Sequence, residues 1–290
     1  MTATMSHDTL IQPTELAALL QNDPAATVVF DCSFDLADPA AGRRAYDAGH
    51  VPGAIYLNLD ADLSGTKTGR NGRHPLPAKD AFARRLAEAG VDDETQVVAY
   101  DGACGMYAAR LWWMLRWAGH GRAALLDGGI TAWREQGFGV ETASPASRPP
   151  GRFSVRPSLV TTVDYDAVLA NLDSGRRLVV DARAPDRFRG ENETLDPIGG
   201  HIPGARNRLF RDNLAADGRF KPAAQLKAEF DAITGGRAAA ELVLQCGSGV
   251  TACHNLLALE VAGLGGAALY PGSWSEWSAQ PGAPIATGAD

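Results

Sequence analysis

The stretch LVLQCGSGVTACHN, residues 242–255, decides the fold because it joins a strand pattern to a helix pattern through a loop of small residues. Apolar or extended residues precede Cys246, and a helical segment is predicted after the loop. A strand that leads directly into a helix is the building unit of parallel α/β sheets. We therefore expect Cys246 at the carboxyl edge of such a sheet, where α/β proteins place their binding sites.

The chain repeats this order of features. LIQPTELAALLQNDPAATVVFD, which ends at Asp31, resembles LVTTVDYDAVLANLDSGRRLVVD, which ends at Asp181. GHVPGA at 49–54 returns as GHIPGA at 200–205, and a strand, loop, helix and aromatic-ended turn follow later in both halves. The offset is about 150 residues throughout, which is the signature of an internal repeat. The sequence therefore predicts a duplicated domain.

A change of composition separates the two copies. ETASPASRPPGRFSVRPS is rich in Pro, Ser and Gly and interrupts any period, so we predict a linker at 141–157 between domains at 1–140 and 158–290. Runs such as TVVF and ELVLQ alternate with helical segments, a pattern typical of a parallel sheet covered by helices. We expect an α/β fold of two tandem domains, each a doubly wound, mainly parallel sheet flanked by helices.

Charge and hydropathy limit the class of protein. The formal net charge of −7 disfavours nucleic acid or an anionic membrane surface as partner. The start, MTATMSHDTLIQPTELAALL, lacks the basic and long apolar regions of a secretory signal. The aromatic segment ARLWWMLRWAGH is short and interrupted by Arg110 and Arg116, which argues against a transmembrane helix. We predict a soluble, cytoplasmic enzyme.

The four cysteines are too few and too dispersed for a disulfide framework. No Cys-x-x-Cys pair exists, and Cys246, Cys253 and His254 lack the spacing of a structural zinc site, so we predict no metal. Cys32, Cys104 and Cys253 lie among apolar or small residues, and we interpret them as small buried side chains.

The duplication provides an internal comparison. Features present in both halves, such as His50 and His201 in the two GH[VI]PGA turns, are assigned to the common scaffold. Features present in one half mark the site of function. At the position of Cys246 the first half has Asp101, which cannot act as a sulfur nucleophile. We therefore predict an inactive first domain and a reactive thiol in the second.

The loop after Cys246 is suited to hold a thiolate. Thiolates are stabilised where backbone N–H groups and a helix amino terminus converge. Glycines permit φ values that other residues avoid, so successive amides can curl around an anion. The residues expected to contact a persulfide or an anionic donor in this way are Gly247, Ser248, Gly249, Val250 and Thr251.

With CGSGVTA, two GH[VI]PGA turns, an inactive first half and GSWSEW at 272–277, the chain resembles the two-domain rhodanese-like sulfurtransferases. This family comprises thiosulfate and 3-mercaptopyruvate sulfurtransferases. The resemblance implies that Cys246 takes sulfur from a small anionic donor, becomes a persulfide, and passes the sulfur to a thiol or cyanide. A thioredoxin-like protein is one candidate acceptor. No metal or organic cofactor is implied.

The resemblance also implies roles for arginines. Arg187, in DARAPDRFRGE, matches the arginine that faces the substrate anion, and its planar fork of donors suits a carboxylate or sulfonate. Mercaptopyruvate enzymes carry a second arginine in the acidic-proline stretch that follows, but ENETLDPIGG has none. The candidates for the missing charge are Arg206, Arg208 and Arg211, for which a position on the solvated surface is the alternative interpretation.

A proton relay is the last implied feature. YLNLDADLSG and RHPLP match segments that bring an aspartate and a histidine to the loop hydroxyl, which implies an Asp60–His74–Ser248 relay. His74 has no counterpart in the second half, which favours function, although a turn histidine before Pro75 is an equally simple interpretation. Tyr107 and Trp274 also have two interpretations, as walls of the active-site cleft or as core residues.

Two other classes of protein share a cysteine in such a loop. A cysteine-based phosphatase would need an arginine at the loop's end, where this chain reaches Ala252 without any cation. A non-catalytic redox or sulfur-carrier module would use Cys246 only as a sensor. Between donors, the neutral, hydroxylated loop favours mercaptopyruvate, and the missing second arginine favours thiosulfate. We expect mercaptopyruvate to be the better donor, with thiosulfate as the alternative.

Overall fold

The structure is a computed structural model that describes residues 6–289, so the first five residues of MTATMSHD lie outside it. The chain divides into two compact units, and the division does not follow the order of the sequence. The first unit contains residues 6–63, Pro77–Leu159 and Asp217–Arg219; the second contains Ser64–Leu76, Val160–Ala216 and 220–289. The segment Ser64–Leu76 therefore belongs to the first repeat by sequence but to the second unit by structure.

The first unit is a five-stranded parallel sheet with the strand order β1-β5-β4-β2-β3. Its strands are β1 (Leu10–Ile11), β2 (Thr27–Asp31), β3 (Ile55–Tyr56), β4 (Gln96–Tyr100) and β5 (Ala123–Leu126). Its helices are α1 (Pro13–Asn22), α2 (Ala41–Ala48), α3 (Lys79–Glu88), α4 (Ala108–Trp117) and α5 (Gly129–Glu135).

The second unit repeats this topology with the order β6-β10-β9-β7-β8, again all parallel. Its strands are β6 (Thr161–Thr162), β7 (Leu178–Asp181), β8 (Arg206–Asn207), β9 (Leu242–Gln245) and β10 (Ala268–Leu269). Its helices are α6 (Tyr165–Ser174), α7 (Pro185–Arg189), α8 (Ala223–Thr234), α9 (Thr251–Val261) and α10 (Ser273–Trp277), with short 3₁₀ segments at Phe210–Asn213 and Ala239–Glu241. The predicted α/β fold with two parallel sheets is confirmed.

The central strands are the most buried part of each sheet. Every residue of β2, β4 and β9 is buried, because helices cover both faces of a parallel sheet and leave no strand face to solvent. This explains why these strands read as continuous apolar runs rather than as alternating patterns. Asp101 follows β4 and Cys246 follows β9, so both residues stand at the carboxyl end of a central strand.

The repeated histidines have the same structural role in both units. The ring of His50 stacks on Tyr46 with centroids 3.9 Å apart, and that of His201 stacks on Phe188 at 3.8 Å, both with rings within 5° of parallel. Each histidine Nδ1 also lies within hydrogen-bond distance of the backbone oxygen of its stacking partner. Both histidines are buried, which places them in the scaffold that the repeats share.

All four cysteines are free thiols. Cys32 and Cys253 are buried as predicted, but the prediction is wrong for Cys104, which is half-buried in the loop after β4 with a left-handed φ of 55°. Among residues 6–289, no helix is long and apolar enough to cross a membrane. Over the same residues, no cluster of three or more His, Cys, Asp or Glu is arranged to hold a metal ion.

One ion-pair network attaches helix α8 to the segment after β8. The carboxylate of Glu229 accepts hydrogen bonds from Arg208, Lys221 and Gln225. Arg208 is buried and its guanidinium lies 4.3 Å from the centre of the Phe230 ring. Burial acts to raise the pKa of Glu229, but these three donors outweigh it and lower the pKa from 4.5 to about 2.

We expect Glu229→Gln to lower the free energy of unfolding at neutral pH by about 1 kcal/mol, since the carboxylate is partly exposed and its pairs are partly screened. A depressed pKa stabilises the fold above the unfolded value of 4.5, and this contribution is lost as pH falls towards about 2. Urea unfolding from pH 7 to pH 3 measures it. The control is Asp231→Asn, which removes an exposed pair with Lys227 on the same helix.

Candidate active site

The sulfur of Cys246 lies between the end of β9 and the start of α9. The side chain is 1% exposed, and its Sγ atom accepts a hydrogen bond from the backbone N–H of Ser248 at 3.4 Å. Helix α9 begins at Thr251, directly after Val250. A helix amino terminus and a backbone N–H donor therefore both lie beside the sulfur.

The short helix α10 holds the cysteine loop from the other side. The N–H of Cys246 donates to Ser273 Oγ, at 3.1 Å. In return, the N–H groups of Trp274 and Ser275 donate to the carbonyl oxygens of Cys246 and Gly247, at 3.0 and 2.9 Å. The loop is therefore fixed through its main chain, which leaves its side chains and the sulfur for chemistry.

The two glycines of the loop serve different purposes. Gly249 has a φ of +74°, and a Cβ there would lie 2.3 Å from the carbonyl oxygen of Pro271, so only glycine fits. Of the two loop glycines, only Gly249 uses the conformational freedom that the sequence analysis attributed to glycine, because Gly247 is not in the left-handed region. A Cβ on Gly247 would instead lie 3.0 Å from Nη2 of Arg73. Gly247 thus leaves room for a guanidinium group.

In the first unit, the turn after β4 corresponds to the cysteine loop, and Asp101 occupies the position of Cys246. Its carboxylate is buried and accepts four backbone hydrogen bonds of 2.7–2.9 Å. The donors are the N–H groups of Ala103, Gly105, Tyr107 and Ala108. The turn after the central strand is therefore an anion-binding nest, and the chain's own carboxylate fills it in this unit.

His74 stands beside the cysteine loop. It is buried, and its Nδ1 lies 2.8 Å from Oγ of Ser248. It reaches this place because the segment Ser64–Leu76 packs in the second unit, where the N–H of Arg73 donates to Ser275 Oγ at 2.9 Å. Asp60 belongs to the first unit, in the turn after β3, where its N–H donates to Asn58. His74 and Ser248 are thus the pair of the predicted relay that one unit brings together.

Arg187 is held at the loop by carboxylates. Its Nε and Nη2 atoms donate to both oxygens of Glu193, at 3.0 and 2.8 Å, and Nη2 also contacts Asp196 at 3.3 Å. Its Nη1 atom lies 3.7 Å from the position of a Cβ on Gly247. Arg187 therefore lies beside Gly247 of the cysteine loop, and two carboxylates that the sequence analysis did not consider fix its orientation.

Arg73 is a second cation at the loop that sequence reasoning missed. Its Nη1 donates to Asp196 Oδ1 at 2.8 Å, while its Nη2 faces Gly247. The signal was present in RHPLP, where a cation directly precedes His74. Burial raises the pKa of Asp196 despite the opposing effect of Arg73 and Arg187. Burial also acts to raise the pKa of Glu193, but hydrogen bonds from Arg187 and the Leu195 amide outweigh it and lower the pKa.

The arginines proposed as replacements for the missing charge are engaged elsewhere or exposed. Arg208 is buried and bound to Glu229, so the prediction that it supplies charge to the site is wrong. Arg206 and Arg211 are exposed, and the Arg211 guanidinium lies over the ring of Phe210. Of the two aromatic candidates, Trp274 is wholly buried and donates to the Ile198 carbonyl, and Tyr107 packs edge-on against Phe34.

The fold and the site define a two-domain α/β protein with a buried cysteine at the end of a central strand of its second sheet. A family model described as "Rhodanese-like domain" matches residues 12–136 and 164–280. The chain belongs to this rhodanese-like family, with two copies of the domain, and the predicted family is confirmed.

Three relatives narrow the class of reaction. The chain is 46% identical to a "Probable 3-mercaptopyruvate sulfurtransferase" of Pseudomonas aeruginosa, over 98% of this chain and 100% of the relative. It is 36% identical to a "Putative thiosulfate sulfurtransferase SseB" of Mycobacterium tuberculosis, over 96% and 97%. Its fold matches the solved structure of the 3-mercaptopyruvate sulfurtransferase from Leishmania major with a TM-score of 0.81 and 30% identity, over 93% of this chain and 74% of that one. These relatives confirm the predicted class, a sulfurtransferase, over the phosphatase and the non-catalytic module.

We expect Gly249→Ala to destabilise the fold by about 3 kcal/mol or more, because the substitution combines a left-handed φ with a clash against Pro271. Gly263→Ala is the matched control, since Gly263 has a φ of +73° but no atom within 4 Å of the new Cβ. That variant should lose only about 1 kcal/mol. Urea unfolding of both variants measures the difference, and equal losses would show that contact with Pro271 does not shape the loop.

Proposed function

We propose that this chain is a 3-mercaptopyruvate sulfurtransferase that carries sulfur as a persulfide on Cys246. The observation that carries the proposal is the environment of one sulfur atom. Sγ of Cys246 lies at the amino terminus of α9, accepts the N–H of Ser248, and has His74 bound to the adjacent hydroxyl. A nucleophile, an amide donor for its anion and a proton carrier are the groups that a two-step transfer needs.

In the first step the thiolate of Cys246 attacks the sulfur of mercaptopyruvate. The new S–S bond forms as the C–S bond breaks, and the electron pair of that bond leaves with the carbon as the enolate of pyruvate. The enolate then takes a proton to become pyruvate. The persulfide forms with the donor's thiol proton, and it releases that proton to replace the one that the enolate takes up. The backbone donors that held the thiolate, including the N–H of Ser248, then hold the negative charge of the persulfide.

The proton for the enolate is the proposed task of His74 and Ser248. The 2.8 Å contact lets the Ser248 hydroxyl donate towards the donor's carbonyl while His74 resupplies the proton. Asp60 is proposed as the third member on its matching sequence segment alone, with the role of fixing the His74 tautomer. Gly247, Gly249, Val250 and Thr251 are proposed to line the donor's path to the sulfur.

In the second step an acceptor thiolate attacks the outer sulfur of the persulfide and restores the Cys246 thiolate. Cyanide can replace the thiol and leaves as thiocyanate. No oxidant or reductant is consumed, because one sulfur atom simply moves between nucleophiles. We propose a thioredoxin-like protein as a physiological acceptor and the cytoplasm as location, supported by the free state of all four thiols.

The charges around the loop support mercaptopyruvate over thiosulfate. Arg73 and Arg187 bring two positive charges, and Glu193 and Asp196 bring two negative ones, so these four groups are neutral together. Thiosulfate carries two negative charges into this setting, whereas mercaptopyruvate carries one. Desolvating the second charge without a matching cation is unfavourable. Thiosulfate remains the alternative donor, since relatives of both names match the chain.

We expect a higher kcat/KM with mercaptopyruvate than with thiosulfate when both are measured with the same thiol acceptor. His74→Ala should lower kcat with mercaptopyruvate by about a hundredfold, in the range of general acid catalysis. The same variant should lower kcat with thiosulfate much less, because the leaving group is then sulfite, which has no carbon atom that must be protonated. Cys246→Ser should abolish turnover of both donors.

Two results together would contradict the proposed donor and the proposed proton relay. They are a higher kcat/KM of the wild type with thiosulfate and an equal loss of kcat with both donors in His74→Ala. Residual turnover in Cys246→Ser would contradict the persulfide carrier. The thermal unfolding midpoint of each variant shows whether a loss reflects chemistry or misfolding.

A further inference from the structure

We propose that Arg73 is a donor-binding residue, which supplies the second guanidinium of the substrate site together with Arg187. The inference rests on the proposed function, because it assigns the group that binds the carboxylate of the donor. Its basis is a juxtaposition within the second unit: two arginines from distant parts of the sequence meet at Gly247, the residue after the nucleophile.

The distances place both guanidinium groups at the same backbone position. From the site of a Cβ on Gly247, the Nη2 atom of Arg73 is 3.0 Å away and the Nη1 atom of Arg187 is 3.7 Å away. A Cβ at 247 would require the Arg73 guanidinium to shift by a few tenths of an ångström. The glycine therefore gives the guanidinium groups room beside the cysteine loop rather than giving the loop an unusual φ.

The hydrogen bonds leave one amino group of each arginine for a ligand. Arg73 uses Nη1 for Asp196 and the Leu195 carbonyl, and Arg187 uses Nε and Nη2 for Glu193 and Asp196. Within residues 6–289, no acceptor contacts Nη2 of Arg73 or Nη1 of Arg187. The first atom lies 3.0 Å and the second 3.7 Å from the Cβ position of Gly247, and the engaged Nη2 of Arg187 also lies 3.7 Å from it. A carboxylate has two oxygens, so it can accept one hydrogen bond from each arginine.

Asp196 fixes the spacing between the two cations. Its Oδ1 accepts from Arg73 at 2.8 Å and its Oδ2 lies 3.3 Å from Arg187, so one buried carboxylate bridges both guanidinium groups. Only 3% of the Asp196 side chain is exposed, compared with 21% of Arg73 and 19% of Arg187. The carboxylate lies on the protein side and the arginines present their remaining edges outward. We assign Asp196 as a positioning residue.

A competing explanation is that Arg73 only neutralises Asp196. In that case Arg73→Gln would leave a buried carboxylate that draws Arg187 away from the donor, and binding would fall without any contact between Arg73 and the substrate. The double variant Arg73→Gln/Asp196→Asn separates the two explanations, because it removes the cation and the unpaired carboxylate together.

The experiment measures KM and kcat for mercaptopyruvate in the full-length enzyme with a neutral thiol acceptor. We expect Arg73→Gln to raise KM by about tenfold to a hundredfold, the loss of one charge-assisted hydrogen bond. The double variant should keep a KM at least about tenfold above wild type, since the donor still lacks its second cation. Arg187→Ala should raise KM by a similar factor. KM for the thiol acceptor should not change.

The matched control is Arg70→Gln, which removes an exposed arginine from the same segment and should leave both constants unchanged. A KM for the double variant near the wild-type value would overturn the proposal and reduce Arg73 to a partner of Asp196. Arg73→Gln kinetics equal to those of Arg70→Gln would overturn it as well. A wild-type enzyme that transfers sulfur from neither donor would instead refute the proposed function, so the two failures are distinct.

Discussion

In each sheet, main-chain N–H groups of the turn after the central strand donate hydrogen bonds to one side chain. The difference between the two units depends on which side chain occupies that position. In the first unit the Asp101 carboxylate fills it with four backbone hydrogen bonds. In the second unit the Cys246 sulfur stands at the same point and accepts the Ser248 amide. One repeat thus fills its nest with an internal carboxylate, and the other has a cysteine sulfur at the same point.

The segment Ser64–Leu76 converts that nest into a site. It originates in the first repeat but packs in the second unit, and it brings His74 to the Ser248 hydroxyl and Arg73 to Gly247. His74 has no counterpart in the second repeat, where DGRFKP at 217–222 has Phe220 in its place, whereas Arg73 corresponds to Arg219. The second unit therefore contains a histidine and an arginine from the repeat that has Asp101 in place of Cys246.

The sequence predicted much of this arrangement. Buried strand patterns and the repeat at 49–54 and 200–205 were sufficient for two parallel α/β domains, since strand burial and turn chemistry are local properties. The place of Cys246 at a strand end followed from the same pattern. The positions of the cations could not be predicted in this way. Arg73 and Asp196 are more than a hundred residues apart in the sequence, so no local pattern indicates their contact. Arg208, which has the same local appearance as a site arginine, is bound to Glu229 because helix α8 packs there.

The central claim is that Cys246 alone carries transferable sulfur. The most direct measurement is peptide mass mapping after incubation of the enzyme with mercaptopyruvate and no acceptor. We predict one added sulfur atom on the peptide that contains Cys246 and Cys253, and fragmentation should place it on Cys246, with release upon addition of a thiol. Added sulfur on Cys104 or Cys253 with Cys246 unmodified would contradict this account.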